Sequence, residues 1–299
     1  MEESVSMRYL RPELKETYTR MANQAPVVIG VSSVDITVDD VLCAYIILAD
    51  YFTDPSLPEN VEQMLIGIRD YGLLASAVSR QIVAFGKKLK YTQPLDVCAT
   101  LFYGLVKDHA FLDGNKRVAL LILLYHLSKH GYVPSAKIGD FESLVVAVAA
   151  NTLPRQYGRL WDKTSKDMPE SDRCVQTISS VLKAKTKKKD NSFHVDITGR
   201  ELRSILAQYG VTSEVNDGRV KFERRIVTGR WLKRSDTLVV SIPYRGETRT
   251  IGAKGVRYVL SKLNLHDQFP RYADIIRGSD PRYMLIERFE GPLRRLKDK

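Results

Sequence analysis

The stretch Val118–Leu127 constrains the fold of this chain more than any other. It is almost wholly apolar, and Gly131 closes it. A membrane-spanning helix needs about 18 apolar residues, so this run is too short to be one. Read as a helix over about Asn115–His130, it is apolar on most sides and has no face suited to water. It is therefore expected at the buried centre of an all-α domain. Neighbouring segments supply its shell. Thr37 caps a helix from about Val38 to Phe52, with Asp39 and Asp40 in a first turn where carboxylates suit the helix dipole. Pro94 sits well in the first turn of another helix, along which Leu95, Cys98, Phe102, Leu105 and Val106 share one face. Phe141–Ala150 reads as a further helix, and Glu62–Ser79 as helical with a bend near Gly72. Gln81–Gln93 reads as a basic loop or small hairpin, Val27–Val31 as a short strand, and residues 1–25 as a polar helical lead-in.

Charge divides the chain. The total is +11, yet residues 1–182 hold 19 Lys+Arg against 21 Asp+Glu, and residues 183–299 hold 27 against 14. A slightly acidic part is thus followed by one that prefers an anionic partner. The boundaries implied are an N-terminal extension over 1–34, a helical domain over 35–180, a Lys-rich linker over 181–190 and a basic domain over 191–299. The linker carries Lys183, Lys185, Lys187, Lys188 and Lys189. At 299 residues and 44% hydrophobic content, two medium domains with proper cores are the expectation. Met1–Gln24 is polar and mixed in charge, unlike a signal peptide. The three cysteines, Cys43, Cys98 and Cys174, are widely spaced and form no disulfide framework, which suits a reducing cytoplasm. No membrane partner is expected.

The basic domain has a different texture. Gly199–Tyr209 is helical. Val211–Val215 and Arg219–Val227 flank Asn216-Asp217-Gly218, a good hairpin turn. Leu238–Tyr244 and Thr248–Ile251 read as a second strand pair, and Val256–Leu263 as a helix. A small α+β domain with the order α-β-β-β-β-α results. Arg219, Lys221, Arg224, Arg225, Arg230, Lys233 and Arg234 cluster around its strands, with Phe222 and Trp231 among them. Basic residues interleaved with aromatics are candidate RNA or DNA contacts. A basic strand surface with Phe222 and Trp231 facing a core competes equally. Recognition of a protein target, or restraint of the helical domain's site, is a third role for this domain.

The chemistry concentrates in His109-Ala-Phe-Leu-Asp-Gly-Asn-Lys-Arg117, where the central helix begins. An unperturbed imidazole is mostly neutral at pH 7, so His109 can take a proton from a hydroxyl. Asp113 is a hard oxygen ligand of the kind that holds Mg²⁺ on nucleotide phosphates. Gly114 permits close approach of a phosphate, and Asn115 can cap the helix or orient a phosphate oxygen. Lys116 and Arg117 place cations in the first turn, where they oppose the helix dipole unless an anion binds there. Phe111 reads as a buried anchor. His126 and His130 have metal-ligand spacing, but no third ligand is evident; helix packing for His126 and a C-terminal dipole role for His130 are the better readings.

These nine residues resemble the Fic/Doc (Fido) signature His-x-Phe-x-Asp/Glu-Gly-Asn-Gly/Lys-Arg. Lys116, and the preceding Gly67-Ile-Arg-Asp-Tyr-Gly-Leu-Leu-Ala-Ser-Ala-Val-Ser-Arg80, are similar to the Doc-type toxins. The resemblance covers about residues 35–160; residues 183–299 resemble no known family. It implies a helical Fido domain with a small flap over about Gln81–Gln93 that docks an extended target peptide by strand addition. It also implies ATP and Mg²⁺ as cofactors, with His109 as catalytic base, Asp113 on the metal, and Gly114, Asn115, Lys116 and Arg117 on the phosphates. Leu120 stands where Fic adenylyltransferases carry a second arginine, and Lys116 where they carry glycine. Both departures imply a Doc-like toxin that moves the terminal phosphate of ATP onto a Ser/Thr hydroxyl of a protein target resembling a translation factor, arresting growth. The alternatives are AMP transfer, and a nucleic-acid- or protein-binding module whose Fic-like domain is an inactive scaffold. No Ser/Thr-x-x-x-Glu-Gly/Asn self-inhibition sequence is present, so restraint is expected from an antitoxin or from another part of the chain.

Overall fold

A computed structural model of the 299-residue chain describes residues 10–28, 32–55, 64–135, 137–188, 197–228, 234–265 and 280–297. The chain forms two compact units. One comprises Pro12–Ala49, Glu62–Phe193 and Arg288–Lys299; the other comprises Met1–Arg11, Asp50–Val61 and His194–Glu287. Both the N-terminal segment and the last residues are therefore distributed differently from a simple division at residue 190.

The first unit is helical. Its elements are α1 (Pro12–Gln24), α2 (Val38–Phe52, whose last turn belongs to the second unit), α3 (Tyr71–Ser79), α4 (Pro94–Asp108), α5 (Asn115–Lys129), α6 (Ile138–Ala149), α7 (Leu153–Gln156), α8 (Gly158–Trp161) and α9 (Glu170–Lys185). The expected centre is the observed one: Val118–Leu124 and Leu127 of α5 are all buried. α4 packs on α5, α3 and α9. Gly104 lets α3 approach, since a Cβ there would lie 3.0 Å from the Ala77 Cα. Thr37 caps α2 through a reciprocal pair: its Oγ1 accepts from the Asp40 N–H at 3.0 Å and Asp40 Oδ2 accepts from the Thr37 N–H at 3.0 Å. Among the described residues, no helix is long and apolar enough to cross a membrane.

Three expectations for this unit need correction. Of the helix expected over Glu62–Ser79, residues 62 and 63 lie outside the described residues, and the helix begins at Tyr71, where Asp70 caps it, accepting from Gly72 and Leu73 at 2.6 and 3.1 Å. The residues just before Asp70 are extended. Residues 181–188 are not a linker: Val181 and Leu182 are buried in α9, and β4 (Thr186–Lys188) pairs antiparallel with β3 (Tyr132–Pro134). Val27 and Val28 form no strand; residues 29–31 of that expected strand lie outside the described residues.

The second unit contains β5 (Ile197–Thr198), α10 (Gly199–Ala207), β6 (Val211–Asn216), β7 (Arg219–Thr228), β8 (Arg234–Pro243), β9 (Thr250–Ile251), α11 (Ala253–Lys262) and α12 (Pro281–Arg288, up to Glu287). Thr198 and Glu201 form a capping box on α10. β6-β7-β8 is an antiparallel meander, and Asp217 and Gly218 take the left-handed turn at φ 47° and 66°. Strand alternation puts Val220, Phe222, Val240 and Ile242 into one core with α10 and α11 residues. β9 does not pair with β8 as expected. It pairs with β5, because the Tyr244–Arg249 turn carries the chain away from the meander. α13 (Glu290–Arg295) returns to the first unit, where it packs on α6 and Arg295 pairs with Glu142 at 2.6 Å.

Candidate active site

The loop between α4 and α5 carries the candidate chemistry. His109 ends α4 in the left-handed region, at φ 48° and ψ 49°, a conformation costly for a residue with a Cβ. That conformation breaks the helix and directs the chain into Ala110–Leu112, which pairs with the extended Gly67–Asp70. The Arg69 N–H donates to Ala110 O at 2.7 Å and the Leu112 N–H donates to Gly67 O at 3.0 Å, around an Ile68–Phe111 bridge. Phe111 is buried, as expected, and its ring lies 4.3 Å from the ring of Tyr45. The Tyr45 hydroxyl accepts from the Gly67 N–H at 2.9 Å, which anchors the pairing strand to α2. Burial pushes the Tyr45 phenol up to about 12, and the negative charge of Asp113 adds to the shift.

Asn115 has a role that its sequence context did not show. Its Oδ1 accepts from the Phe111 N–H and its Nδ2 donates to Phe111 O, both at 2.9 Å. The side chain closes the loop; the helix cap is Gly114, at φ 83°. The positive φ is what calls for glycine; a Cβ there would also sit 2.7 Å from the Met64 methyl, the end of a flexible side chain that would have to shift. Asp113 keeps a buried Oδ1 with no hydrogen-bond partner. Lys116 is half-buried and Arg117 is 1% exposed, so the guanidinium belongs to the interior of the loop. Leu120 is fully buried in the α5 core. Beside the loop, burial raises the carboxyl of Asp108, with the positive groups of Arg80 and His109 opposing the rise.

The expected flap is an antiparallel hairpin of β1 (Ala84–Phe85) and β2 (Lys88–Leu89), turned at Gly86 with φ 61°. Its start needs correction. Gln81 is buried: its amide accepts from Ile36 N–H and donates to Ile36 O and Val78 O. The exposed hairpin therefore runs from Val83, whose carbonyl accepts from the Lys90 N–H at 2.8 Å. Phe85 stands 71% exposed on it, and Lys90 ties its base to Asp172 at 2.6 Å.

The description of the family model that matches residues 35–127 is the Fic/DOC family. Over those residues the chain is similar to the Fic/DOC family. Toxin Doc of Mycolicibacterium smegmatis is 45% identical over 53 residues, 17% of this chain and 40% of that relative. The chain thus spans well under half the length of the curated relative it matches. No solved structure matches the chain. The Fic/DOC match covers α2 to most of α5, and with them the hairpin and the whole His109–Arg117 loop. The second unit lies outside it, apart from Asp50–Val61.

Among the described residues, the candidate nucleic-acid contacts do not come together. Phe222 is fully buried in the core and cannot stack on a base. Arg224 shares its face of β7 and donates to Leu263 O and Asn264 O at 2.8 and 2.9 Å, capping the end of α11. Arg219 donates to Ser241 O at 3.0 Å, and Lys221 pairs with Glu223 at 2.5 Å. On the outer face Glu214 stands opposite Lys221. Together with the exposed Arg225, this face has mixed charge and is not a basic track. Arg234 begins β8, while Arg230, Trp231 and Lys233 lie outside the described residues, as do His194 and His266. The cations gather elsewhere: a pocket of about 570 Å³ is lined by Arg219, Arg245, Arg249, Lys254 and Tyr258 at the start of α11. No sequence pattern marks it, because its cations come from three separate segments.

Proposed function

We propose that the chain is a Doc-like toxin enzyme that moves the terminal phosphate of ATP onto a Ser or Thr hydroxyl of a protein target. The observation that carries this reading is the loop itself. A half-buried imidazole, a carboxylate with an unpartnered buried oxygen, and two cations meet at the start of one helix. His109 takes the proton of the attacking hydroxyl. The positive end of the α5 dipole and Lys116 receive the phosphate charge, and Arg117 beneath them sets the field of the loop. The unpartnered Asp113 oxygen suits Mg²⁺, which Asp113 would hold and which would neutralise charge on the nucleotide phosphates. The exposed Val83–Lys90 hairpin receives the target as an added strand. Buried Leu120 and a lysine at position 116 favour phosphate over AMP transfer. An antitoxin is the expected restraint. The test is transfer of label from γ-labelled ATP to a protein in cell extract, abolished in His109→Ala.

A second reading concerns the basic unit. Its 570 Å³ pocket has four cations and no carboxylate in its lining, which favours a phosphate-bearing partner such as RNA or DNA. The nearby acids are engaged: Glu247 pairs with Arg203, and Glu287 accepts from the Thr250 N–H at 2.9 Å. Binding of RNA or DNA to the full chain that weakens steeply with salt, and weakens further in Arg245→Ala with Lys254→Ala, supports it. Binding indifferent to salt contradicts it.

A further inference from the structure

We infer that Cys98, His126 and His130 form a binding site for a borderline-soft divalent cation, with Zn²⁺ as the best fit. The two histidines lack a third ligand only in sequence. In the fold, Cys98 from the first half of α4 faces the last turn of α5, and one ligand atom from each residue lies within 4.8 Å of the others. His126 Nε2 and His130 Nε2 are 3.3 Å apart. Two imidazole nitrogens on one tetrahedral zinc, each about 2.0–2.1 Å from the ion, would be separated by about 3.3 Å. The remaining edges close to the thiolate–nitrogen value with side-chain movements of about 1 Å. The donor set of one thiolate and two imidazoles is one that selects zinc over magnesium or calcium.

Burial adds to this: His126 is fully buried, and the polar group that meets its Nε2 is the other imidazole, so a cation at this position would serve both rings. Lys129, whose charge opposes a cation, is drawn aside: its Nζ donates to Asp35 O at 2.9 Å and lies 3.9 Å from Asp40. His130 is only half-buried, which leaves a fourth position for water.

The location gives the site its role. Cys98 precedes His109 by eleven residues of α4, about 16 Å along the axis. The ion would clamp the end of the α4–α5 pair remote from the catalytic loop. It would stabilise the hairpin that holds the loop without taking part in its chemistry.

The test uses the full chain, stripped with chelator and titrated with Co²⁺ alone, then Zn²⁺. One Co²⁺ per chain is expected, with thiolate-to-cobalt charge-transfer absorption and the intense ligand-field bands of a tetrahedral ion, all lost on adding Zn²⁺. Cys98→Ala should lose the charge-transfer band, His130→Asn should lose most of the uptake, and Cys43→Ala should keep both. Cys98→Ala removes one small buried atom; should it fail to fold, the half-buried His130→Asn tests the same site. No uptake in excess metal, or uptake unchanged in Cys98→Ala and His130→Asn, would overturn the site and leave a histidine–histidine hydrogen bond beside a buried thiol.

Discussion

Asn115 holds Phe111 from both sides: its amide donates to the Phe111 carbonyl and accepts from the Phe111 N–H, each at 2.9 Å. These two bonds close the five residues Phe111–Asn115, which include Asp113 and Gly114. Asn115→Ala leaves both backbone groups buried without that partner, at about 1–3 kcal/mol each. The expected result is a loss of about 2–5 kcal/mol in denaturant unfolding. Asn115→Asp keeps the acceptor and should lose about half as much. Equal stability of all three proteins would show that the clamp is not closed in solution.

The Tyr45 hydroxyl accepts from Gly67 N–H, so Tyr45→Phe should cost about 1–3 kcal/mol at neutral pH. The pH dependence has a definite sign. The native phenol is raised to about 12, from an unfolded value of 10.0. A raised native value gives stability that is complete below 10 and is lost as pH rises toward 12. The stability difference between wild type and Tyr45→Phe should therefore shrink across that interval. A difference that stays constant or grows contradicts the burial of this hydroxyl.

Gly114 occupies φ 83°, and a Cβ on it would sit 2.7 Å from the Met64 methyl. Gly114→Ala forces an L-residue into the left-handed region at about 1–2 kcal/mol and displaces the Met64 methyl. Thermal unfolding should show the loss, and label transfer should fall with it because the entry of the loop into α5 is strained. Wild-type stability in this variant would mean that the loop enters α5 differently.

Much of the first unit was legible because its signals are local. A nearly all-apolar α5, Pro94 at the start of α4, and the Thr37 cap each act within a few residues. The hairpin turn at Asp217-Gly218 is local too. What was missed depends on distant partners. Residues 64–69 carry an acceptable helical pattern, but pairing with Ala110–Leu112 draws them into an extended form. Lys187 and Lys188 look like solvated charge until β4 is seen beside β3. In the His109–Arg117 loop the residue types are legible and their division of labour is not: only the fold shows that Asn115 closes the loop and that Arg117 is buried. Cys98 joins His126 and His130 only once α4 and α5 are packed, and no spacing rule links them.

Asp50 is likewise served by distant partners, in the second unit. This buried carboxylate accepts from Arg11 at 2.9 Å, Arg200 at 2.6 Å and the Tyr283 hydroxyl at 2.8 Å, across separations of 39, 150 and 233 residues. Asp50→Ala would remove the carboxylate that two largely buried guanidinium groups share, a loss of about 3–5 kcal/mol. Calorimetry should show it as a lowered unfolding transition. An unchanged transition would place the arginines in water.

The most direct measurement follows two labels on one donor. The chain is incubated with cell extract and ATP labelled at the γ position, and separately with ATP labelled at the α position, for wild type and His109→Ala. Phosphate transfer through His109 predicts γ-label on a protein Ser or Thr with wild type, none with His109→Ala, and no α-label with either. Transfer of α-label, or full γ-transfer by His109→Ala, would contradict it.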